Sequence, residues 1–198
     1  MKFNKRDTFF GIFFLILFIL ILIRNYFFHV SDYSIYWYCD FIAIFFAIGF
    51  FFHQKAFLKS ITYIGFLPQA FFLISLPIIL IFGISILGIS PIIKTYHWVF
   101  LLISLLMHLS YVFAFSFTMD NKPEIKSLKI SAILLLLLYL LSYFFTPAIE
   151  NINYIFFLEK FFGITGLSFL WLPIGFIGIV VPTYFIQKKI YNLLHKKK

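Results

Sequence analysis

One cysteine and one histidine lie in stretches of the chain that are apolar enough to cross a membrane. Cys39 is the only cysteine, and His108 lies in the middle of a later apolar stretch. A thiol in apolar surroundings is a poor nucleophile, and a neighbouring imidazole that takes its proton converts it to a thiolate. We therefore expect Cys39 and His108 to form a Cys–His pair that attacks an acyl carbonyl, provided that both side chains face one cavity.

Asp40 adds a carboxylate to the same stretch as Cys39. A charged side chain at the centre of a bilayer costs roughly 2.5 to 3.5 kcal/mol on the insertion scales, so Asp40 must face protein or water and is a candidate functional residue. Successive side chains on a helix point about 100° apart. We therefore expect Asp40 to polarise a water molecule or the region of Asn153, and not to orient His108.

Both members of the pair also have a simpler interpretation. Small residues recur every four positions beside the thiol, at Cys39, Ala43 and Ala47. This pattern lets a neighbouring helix approach closely, and Cys39 can be one of its packing residues, facing a helix. His108 belongs to a polar stripe with Ser104 and Tyr111, and a neutral imidazole within such a stripe can simply be hydrogen-bonded. The sequence leaves both interpretations open.

Metal and redox chemistry receive no support from the cysteine content. A single cysteine cannot form an intrachain disulfide, and the chain contains no CxxC motif. One cysteine and one histidine within the membrane provide too few ligands for a zinc site. We predict no metal and no cofactor.

The composition determines the class of fold that must position these residues. Hydrophobic residues make up 63% of the 198-residue chain and charged residues 12%, with a mean hydropathy of +1.04. About 20 apolar residues cross a bilayer as a helix. We predict an all-α, polytopic transmembrane helical bundle that forms a single domain over residues 1–198. Six spans are expected, at Thr8–Ile23, Ser31–Phe52, Ser60–Pro77, Tyr96–Thr118, Ser127–Thr146 and Gly163–Ile186.

The net charge of +9 follows the alternation of these spans. Of the 16 Lys and Arg residues, 13 lie on the side of the amino terminus, and only Arg24, Lys94 and Lys160 lie opposite. This asymmetry predicts that both termini are cytoplasmic and that the protein resides in the cell inner (plasma) membrane. It also explains the basic excess without nucleic acid as a partner. The first span is expected to remain as an anchor.

Three segments depart from plain helical spans. Gln69 lies between Pro68 and Pro77 in the third span, which predicts a kink, and residues 78–90 form either a tilted continuation or a re-entrant piece. Residues 150–154 are expected to fold back over the outer mouth as a lid or to form a solvated hairpin. The glycines of the sixth span predict close helix packing; they are Gly163, Gly166, Gly175 and Gly178.

The order of these residues along the spans resembles the YwaF-like bacterial membrane proteins. The likeness consists of Cys39-Asp40 early in the second span, His108 in the fourth and Asn153-Tyr154 after the fifth. The layout is also similar to that of a eukaryotic intramembrane cysteine acyltransferase for ether phospholipids and of the androgen-induced hydrolases of fatty acid esters. By this resemblance Cys39 is the acyl-accepting nucleophile, His108 its base, and Asn153-Tyr154 the Asn-Tyr element. Tyr36-Trp37-Tyr38 and Phe66-Leu67-Pro68-Gln69 depart from the family pattern.

These observations favour acyl transfer or acyl-ester hydrolysis on a membrane lipid. Cys39 attacks the carbonyl and His108 transfers the proton. The oxyanion is steadied by Asn153 or Tyr154. Gln69 and Tyr111 are further candidate supporting residues.

Two other classes of function remain open from the sequence. The first is a pore or transporter with a polar path formed by Asp40, Gln69, His108 and Glu150. The second is an accessory protein that binds another membrane component. The expected partners are membrane lipids and either another membrane protein or a second copy of the chain.

Overall fold

A computed structural model describes residues 5–27, 38–83, 98–119, 121–149 and 152–195. Within these ranges the chain consists of helices and connecting turns, as the all-α prediction requires. The long helices are α1 (Lys5–Phe27), α2 (Tyr38–Phe51), α3 (Lys55–Phe82), α4 (Trp98–Met119) and α5 (Ile125–Phe145). The short helix α6 (Phe157–Phe162) follows, and a last helical rod contains α7 (Trp171–Gly175), a π-helical turn (Phe176–Val180) and α8 (Val181–His195).

Among the described residues, five helical segments are long and apolar enough to cross a membrane: α1, α3, α4, α5 and the rod at Leu167–His195. The chain is therefore a multi-pass integral membrane protein. Helix α2 is apolar but has only 14 residues, a length of about 21 Å, which is shorter than the hydrocarbon core of about 30 Å. Residues 31–37 of the predicted second span lie outside the described residues.

The helices run alternately up and down, which can be followed from contacts between their ends. Helices α1 and α2 are antiparallel, because Asp7 contacts His53 at one end and Arg24 contacts Asp40 at the other. We call the first of these the lysine end, since Lys55, Lys59 and Lys122 lie there, and the second the arginine end. Helices α3 and α5 both begin at the lysine end, where the Lys59 ammonium contacts the Glu124 carboxylate.

The remaining helices also alternate in direction. Helix α4 reaches the lysine end, where the Gln187 amide donates to the Thr118 carbonyl. Gln187 itself lies near the end of the rod, so the rod also finishes at the lysine end. Helix α5 finishes at the arginine end, where Asn153 beyond it contacts the first residue of α2. Within the described residues, five long helical passes and the shorter α2 thus run alternately in opposite directions.

Buried aromatic side chains hold α1, α2 and α4 together. Phe14 stacks on Phe46 with ring centroids 4.8 Å apart, and Tyr111 packs against both rings. Gly11 permits the close approach of α1 and α2, since a Cβ added there would lie 2.8 Å from the Phe51 ring. The first span is therefore packed along one face, at Phe14, Leu17 and Ile21, while Phe9, Ile16 and Ile19 are exposed.

The third span is one continuous helix that includes both Pro68 and Pro77. It extends beyond the predicted span at both ends, and residues Ile78–Phe82 continue it, as one of the two alternatives for this tract predicted. It ends at Gly83, whose φ of 71° is left-handed. Residues 84–90 lie outside the described residues.

The prediction for the start of the sixth span was wrong. Gly163 ends α6 and Gly166 precedes the 3₁₀ turn at Leu167–Leu170, and both have left-handed φ values, of 68° and 89°. A Cβ added at either glycine would meet nothing within 4 Å. These residues serve as turns and not as helix-packing positions, and the membrane-crossing rod begins at Leu167.

Candidate functional site

A buried ion pair between α1 and α2 forms the centre of the site. The Nη2 nitrogen of Arg24 lies 3.0 Å from each carboxylate oxygen of Asp40, and both side chains are almost completely enclosed. Asn25 donates to the same carboxylate at 2.8 Å and accepts from the guanidinium at 2.7 and 2.9 Å. The high cost of a carboxylate within an apolar bundle is thereby offset by a counter-charge and an amide.

Arg24 corrects the sequence-based assignment. It was expected just beyond the first span, which was predicted to end at Ile23, among the basic residues opposite the amino terminus. Instead, α1 continues to Phe27 and Arg24 is buried in its last turn. The sequence did contain an indication of this role, because a carboxylate within the membrane at Asp40 needs a counter-charge on a neighbouring helix.

Helix α4 joins the ion pair through Ser104, whose hydroxyl accepts from Arg24 Nη1 at 3.1 Å. The guanidinium carbon also lies 5.0 Å from the centre of the Phe100 ring, within cation–π range. Three turns of α4 thus contribute to one polar face, since Tyr111 on the same stripe donates to the Cys39 carbonyl at 2.7 Å. The predicted stripe of Ser104, His108 and Tyr111 is confirmed.

Cys39 is half-buried at the edge of this cluster. Its thiol lies 3.7 Å from Asp40 Oδ1, a weak hydrogen bond with the thiol as the donor. The small residues on its face, Ala43 and Ala47, are fully buried, as predicted for a face that meets a helix. Cys39 therefore borders the charged network.

His108 lies between Ser104 and Tyr111 on α4, and its described contacts are with α3. Its Nδ1–H donates to Gln69 Oε1, and its ring stacks on Phe72 with centroids 3.7 Å apart. Since Nδ1 holds the proton of the neutral imidazole in this arrangement, the lone pair is on Nε2. Among the described contacts, no hydrogen bond joins Cys39 Sγ to His108, so the pairing of these two side chains stays a prediction.

Asn153 connects the loop after α5 to the start of α2. Its Oδ1 accepts from the Tyr38 backbone amide at 2.7 Å, and its Nδ2 donates to Ser142 Oγ at 2.8 Å. Asn153 is buried with a left-handed φ of 53°, a conformation that asparagine tolerates. These contacts hold Asn153 against the bundle and position Tyr38 next to Cys39, while the lid over the outer mouth stays a prediction.

Two predicted residues lie outside what the structure describes. These are Glu150, and Tyr154 as regards its side chain. A metal-binding group of three or more His, Cys, Asp or Glu side chains is not found in the described ranges.

Comparison with known proteins identified no relative of this chain. The chain matches no protein-family model, no curated protein and no solved structure. The fold and the buried cluster define a multi-pass helical membrane protein with a charged centre at one end of its bundle. The likeness to YwaF-like proteins stays a prediction from the residues.

Proposed function

We propose that this protein transfers or hydrolyses acyl groups of membrane lipids, with Cys39 as the nucleophile and His108 as its base. The observation that carries the proposal is the hydrogen bond from His108 to Gln69. It leaves the basic nitrogen Nε2 unprotonated, which is the role of the third residue in Cys–His–Asn catalytic sites. Gln69 is in this account a positioning residue.

The choice of His108 over Asp40 as the base rests on the hydrogen bonds that each group makes. The Asp40 carboxylate oxygens already accept from Arg24 and Asn25, whereas the hydrogen bond from His108 Nδ1–H to Gln69 leaves the lone pair of Nε2 available. The Arg24 guanidinium then favours the thiolate and the oxyanion, while the Asp40 carboxylate that holds it in place opposes the thiolate.

The reaction balances as two acyl transfers. The Cys39 proton moves to His108 Nε2, Sγ bonds to the carbonyl carbon, and the ester C–O bond breaks as the leaving alkoxide takes the proton back. The resulting thioester is then attacked by water or by the hydroxyl of a second lipid, and Cys39 is restored as a thiol. No cofactor is required for either step.

Vesicles that contain the purified protein and a phospholipid acyl ester test this proposal. We expect Cys39→Ala and His108→Gln to abolish acyl release or exchange. Gln69→Leu should lower the rate by about 10² or more, while Gln69→Glu, which still accepts from Nδ1–H, should lower it much less. Ser116→Ala, at an exposed position that contacts only its own helix, is the control. Full turnover by Cys39→Ala would contradict the proposal.

A second candidate function is that of a non-enzymatic accessory protein. It is favoured by the completeness of the polar contacts, because the buried side-chain nitrogen and oxygen atoms of the described residues have partners, with the exception of Ser127 Oγ. A network of this kind can serve only to hold α1, α2 and α4 together. Wild-type protein that is folded, inactive on lipid esters and purified with a stoichiometric membrane partner would support this function.

The orientation in the membrane is part of the same proposal. We place the lysine end in the cytoplasm, since cytoplasmic loops carry the excess of Lys and Arg, and the cell inner membrane as the location. Cys39 then lies toward the outer leaflet, where its substrate would be a lipid. A second copy of the chain is a further proposed partner.

A further inference from the structure

A compact segment joins α5 to the last rod at the arginine end of the bundle, and the structure describes it at residues 146–149 and 152–166. We call it the connecting segment. It contains α6 and turns sharply at Asn153, Gly163 and Gly166, whose φ values are left-handed. It lies outside the helices that are long and apolar enough to cross a membrane, so the positions of the spans alone do not say what surrounds it.

The depth of the connecting segment follows from the lengths of the two passes that it joins. Helix α5 rises about 30 Å from Ile125 to Phe145, at about 1.5 Å per residue. The rod covers a similar length, about 30 Å, between Gln187 at the lysine end and its start at Leu167. The hydrocarbon core of a bilayer is also about 30 Å thick. We therefore expect the connecting segment at the level of the lipid headgroups.

The outer surface of the connecting segment is apolar, whereas a connection that faces water is usually polar. Ile149 is 82% exposed, Phe162 58% and Ile164 56%. Contact of large apolar side chains with water is unfavourable, and several of them together in one exposed segment indicate a surface that meets a membrane or another protein.

The charged side chains of α6 are bonded to the backbone nearby. Lys160 Nζ donates to the Ile149 carbonyl at 2.8 Å. Glu159 Oε1 accepts from the backbone amides of Gly166 and Ser168, at 2.9 and 3.0 Å. These two charges hold the turns of the connecting segment in place, while its large apolar side chains point outward. This arrangement suits an element that lies against lipid.

The exposed apolar residues also continue into both neighbouring passes. Phe144 near the end of α5 and Phe169 near the start of the rod are exposed. Because α5 and the rod cross the membrane, their exposed apolar side chains face lipid, and aromatic residues are common where such helices reach the interface. The apolar residues of the connecting segment thus extend a surface that already contacts the bilayer.

We propose that the connecting segment is an interfacial membrane-binding element, with the side chains of Ile149, Phe162 and Ile164 inserted among the phospholipids of the leaflet at the arginine end. Short helices with an apolar face lie in the plane of the interface in this way. The inference does not depend on the proposed acyl-transfer chemistry. It does place lipid next to the segment whose Asn153 is bonded to Tyr38, the neighbour of Cys39.

The accessibility of spin labels in the full-length protein, reconstituted in phospholipid vesicles, tests this inference. In a Cys39→Ala background, the test labels are at Phe162→Cys and Ile164→Cys. The reference labels are at Ile133→Cys, an exposed apolar position within α5, and at Lys122→Cys, an exposed position before α5. Oxygen concentrates in the bilayer and a nickel chelate in water. We expect oxygen-to-nickel collision ratios at the test positions several-fold above the ratio at Lys122 and below the ratio at Ile133.

Two results would overturn the inference. A ratio at Phe162 or Ile164 as low as that at Lys122 would mean that the connecting segment faces water. Low collision rates with both reagents, together with dipolar broadening that disappears on dilution with unlabelled protein, would assign the surface to a second copy of the chain.

A measurement on the wild-type protein makes the test independent of the variants. A phospholipid that carries a photoreactive diazirine close to its glycerol should label residues 161–164, as located by mass spectrometry of peptides. Labelling of the exposed face of α1 is the positive control, since Ile16 and Ile19 face lipid. Labelled α1 with an unlabelled connecting segment would contradict the inference.

Discussion

The Arg24–Asp40 pair shows how a single buried charge requires a second one. Each group alone would be left in a low-dielectric interior, where removal of one partner from a buried pair typically costs 3–5 kcal/mol. The pair as a whole gains little over apolar residues that fill the same volume. Its presence between α1 and α2 therefore indicates a role beyond stability, and the proposed function uses its charge beside Cys39.

This balance predicts the behaviour of single and double variants. Arg24→Leu or Asp40→Leu should lower the free energy of unfolding by about 3–5 kcal/mol, while the combination of the two should recover most of that loss. Denaturant unfolding of the purified protein in mixed micelles would measure each value. Lys189→Leu, an exposed cation on α8, is the matched control and should change stability little. If the double variant lost the sum of the two single losses in free energy of unfolding, the two side chains would not act as a pair.

The sequence correctly predicted which residues lie on the same face of a helix, because helical spacing alone determines this. Ser104, His108 and Tyr111 share one face because they are spaced at helical intervals, and Cys39, Ala43 and Ala47 follow the same rule. The need of Asp40 for a counter-charge was visible in the sequence, but the cation that supplies it and the side chain that binds His108 could not be predicted in this way. They depend on which helices are adjacent, and a single sequence does not contain that information.

At the level of elements, serine hydroxyls hold α3 and α5 together. Ser60 Oγ donates to the Ser127 carbonyl at 2.8 Å, and Ser131 Oγ donates to the Ser60 carbonyl at 3.1 Å. All three serines are fully buried. Interhelical hydrogen bonds of this kind stabilise membrane helices because small polar residues allow close approach.

Truncation of this contact gives a test of its contribution. Ser131→Ala should lower the free energy of unfolding by about 0.6 kcal/mol, the average for such bonds within membranes, and by no more than about 1.7 kcal/mol. Ser116→Ala is the control, since Ser116 is exposed and its hydroxyl bonds only within α4. Unfolding in micelles or bicelles would compare the two. Equal losses of stability in the two variants would mean that the effect of Ser131→Ala arises within α5 and not from the contact with α3.

The start of α5 is joined to α3 by an ion pair that should depend on pH. The Lys59 ammonium donates to Glu124 at 2.6 Å, and this hydrogen bond lowers the pKa of Glu124 below its ordinary value of 4.5. A carboxyl whose pKa is lowered on folding stabilises the fold above its unfolded pKa, and the contribution is lost as the pH falls through the folded pKa. Glu124 is half exposed, so solvent screening keeps the contribution to about 1 kcal/mol or less.

Glu124→Gln should therefore be less stable than wild type at neutral pH, and the difference should disappear progressively as the pH falls below about 4.5. Unfolding measurements from pH 7 to pH 3 would show this convergence. The same substitution in a Lys59→Met background tests whether the convergence is specific to the Lys59 pair, since most of it should then be lost. A difference that stays constant with pH would exclude the ion pair as its cause.

For the whole molecule, composition alone determined the class, and alternation of basic residues predicted the arrangement of the passes. The boundaries were less predictable, because apolar sequence continues beyond the membrane-crossing part of a helix. Residues 163–166 show the reason. They carry no charged side chain that would mark the end of a span, and the left-handed φ values of Gly163 and Gly166 reveal the turn.

The arrangement of the passes makes a prediction about accessibility. In a Cys39→Ala background, single cysteines at Lys122 and Lys188 should react with a membrane-impermeant thiol reagent from the same side, and a cysteine at Lys160 from the opposite side. Intact cells and inverted vesicles would provide the two sides. Labelling of all three positions from one side would contradict the alternation of helices described above.

The central claim is that Cys39 accepts an acyl group. Its most direct test is the intact mass of the purified protein after incubation with an activated phospholipid acyl ester. We predict a mass increase of one acyl group on Cys39 that neutral hydroxylamine removes, that Cys39→Ala lacks, and that His108→Gln forms much more slowly. An unchanged mass of the folded wild-type protein, or an adduct that persists in Cys39→Ala, would contradict the account.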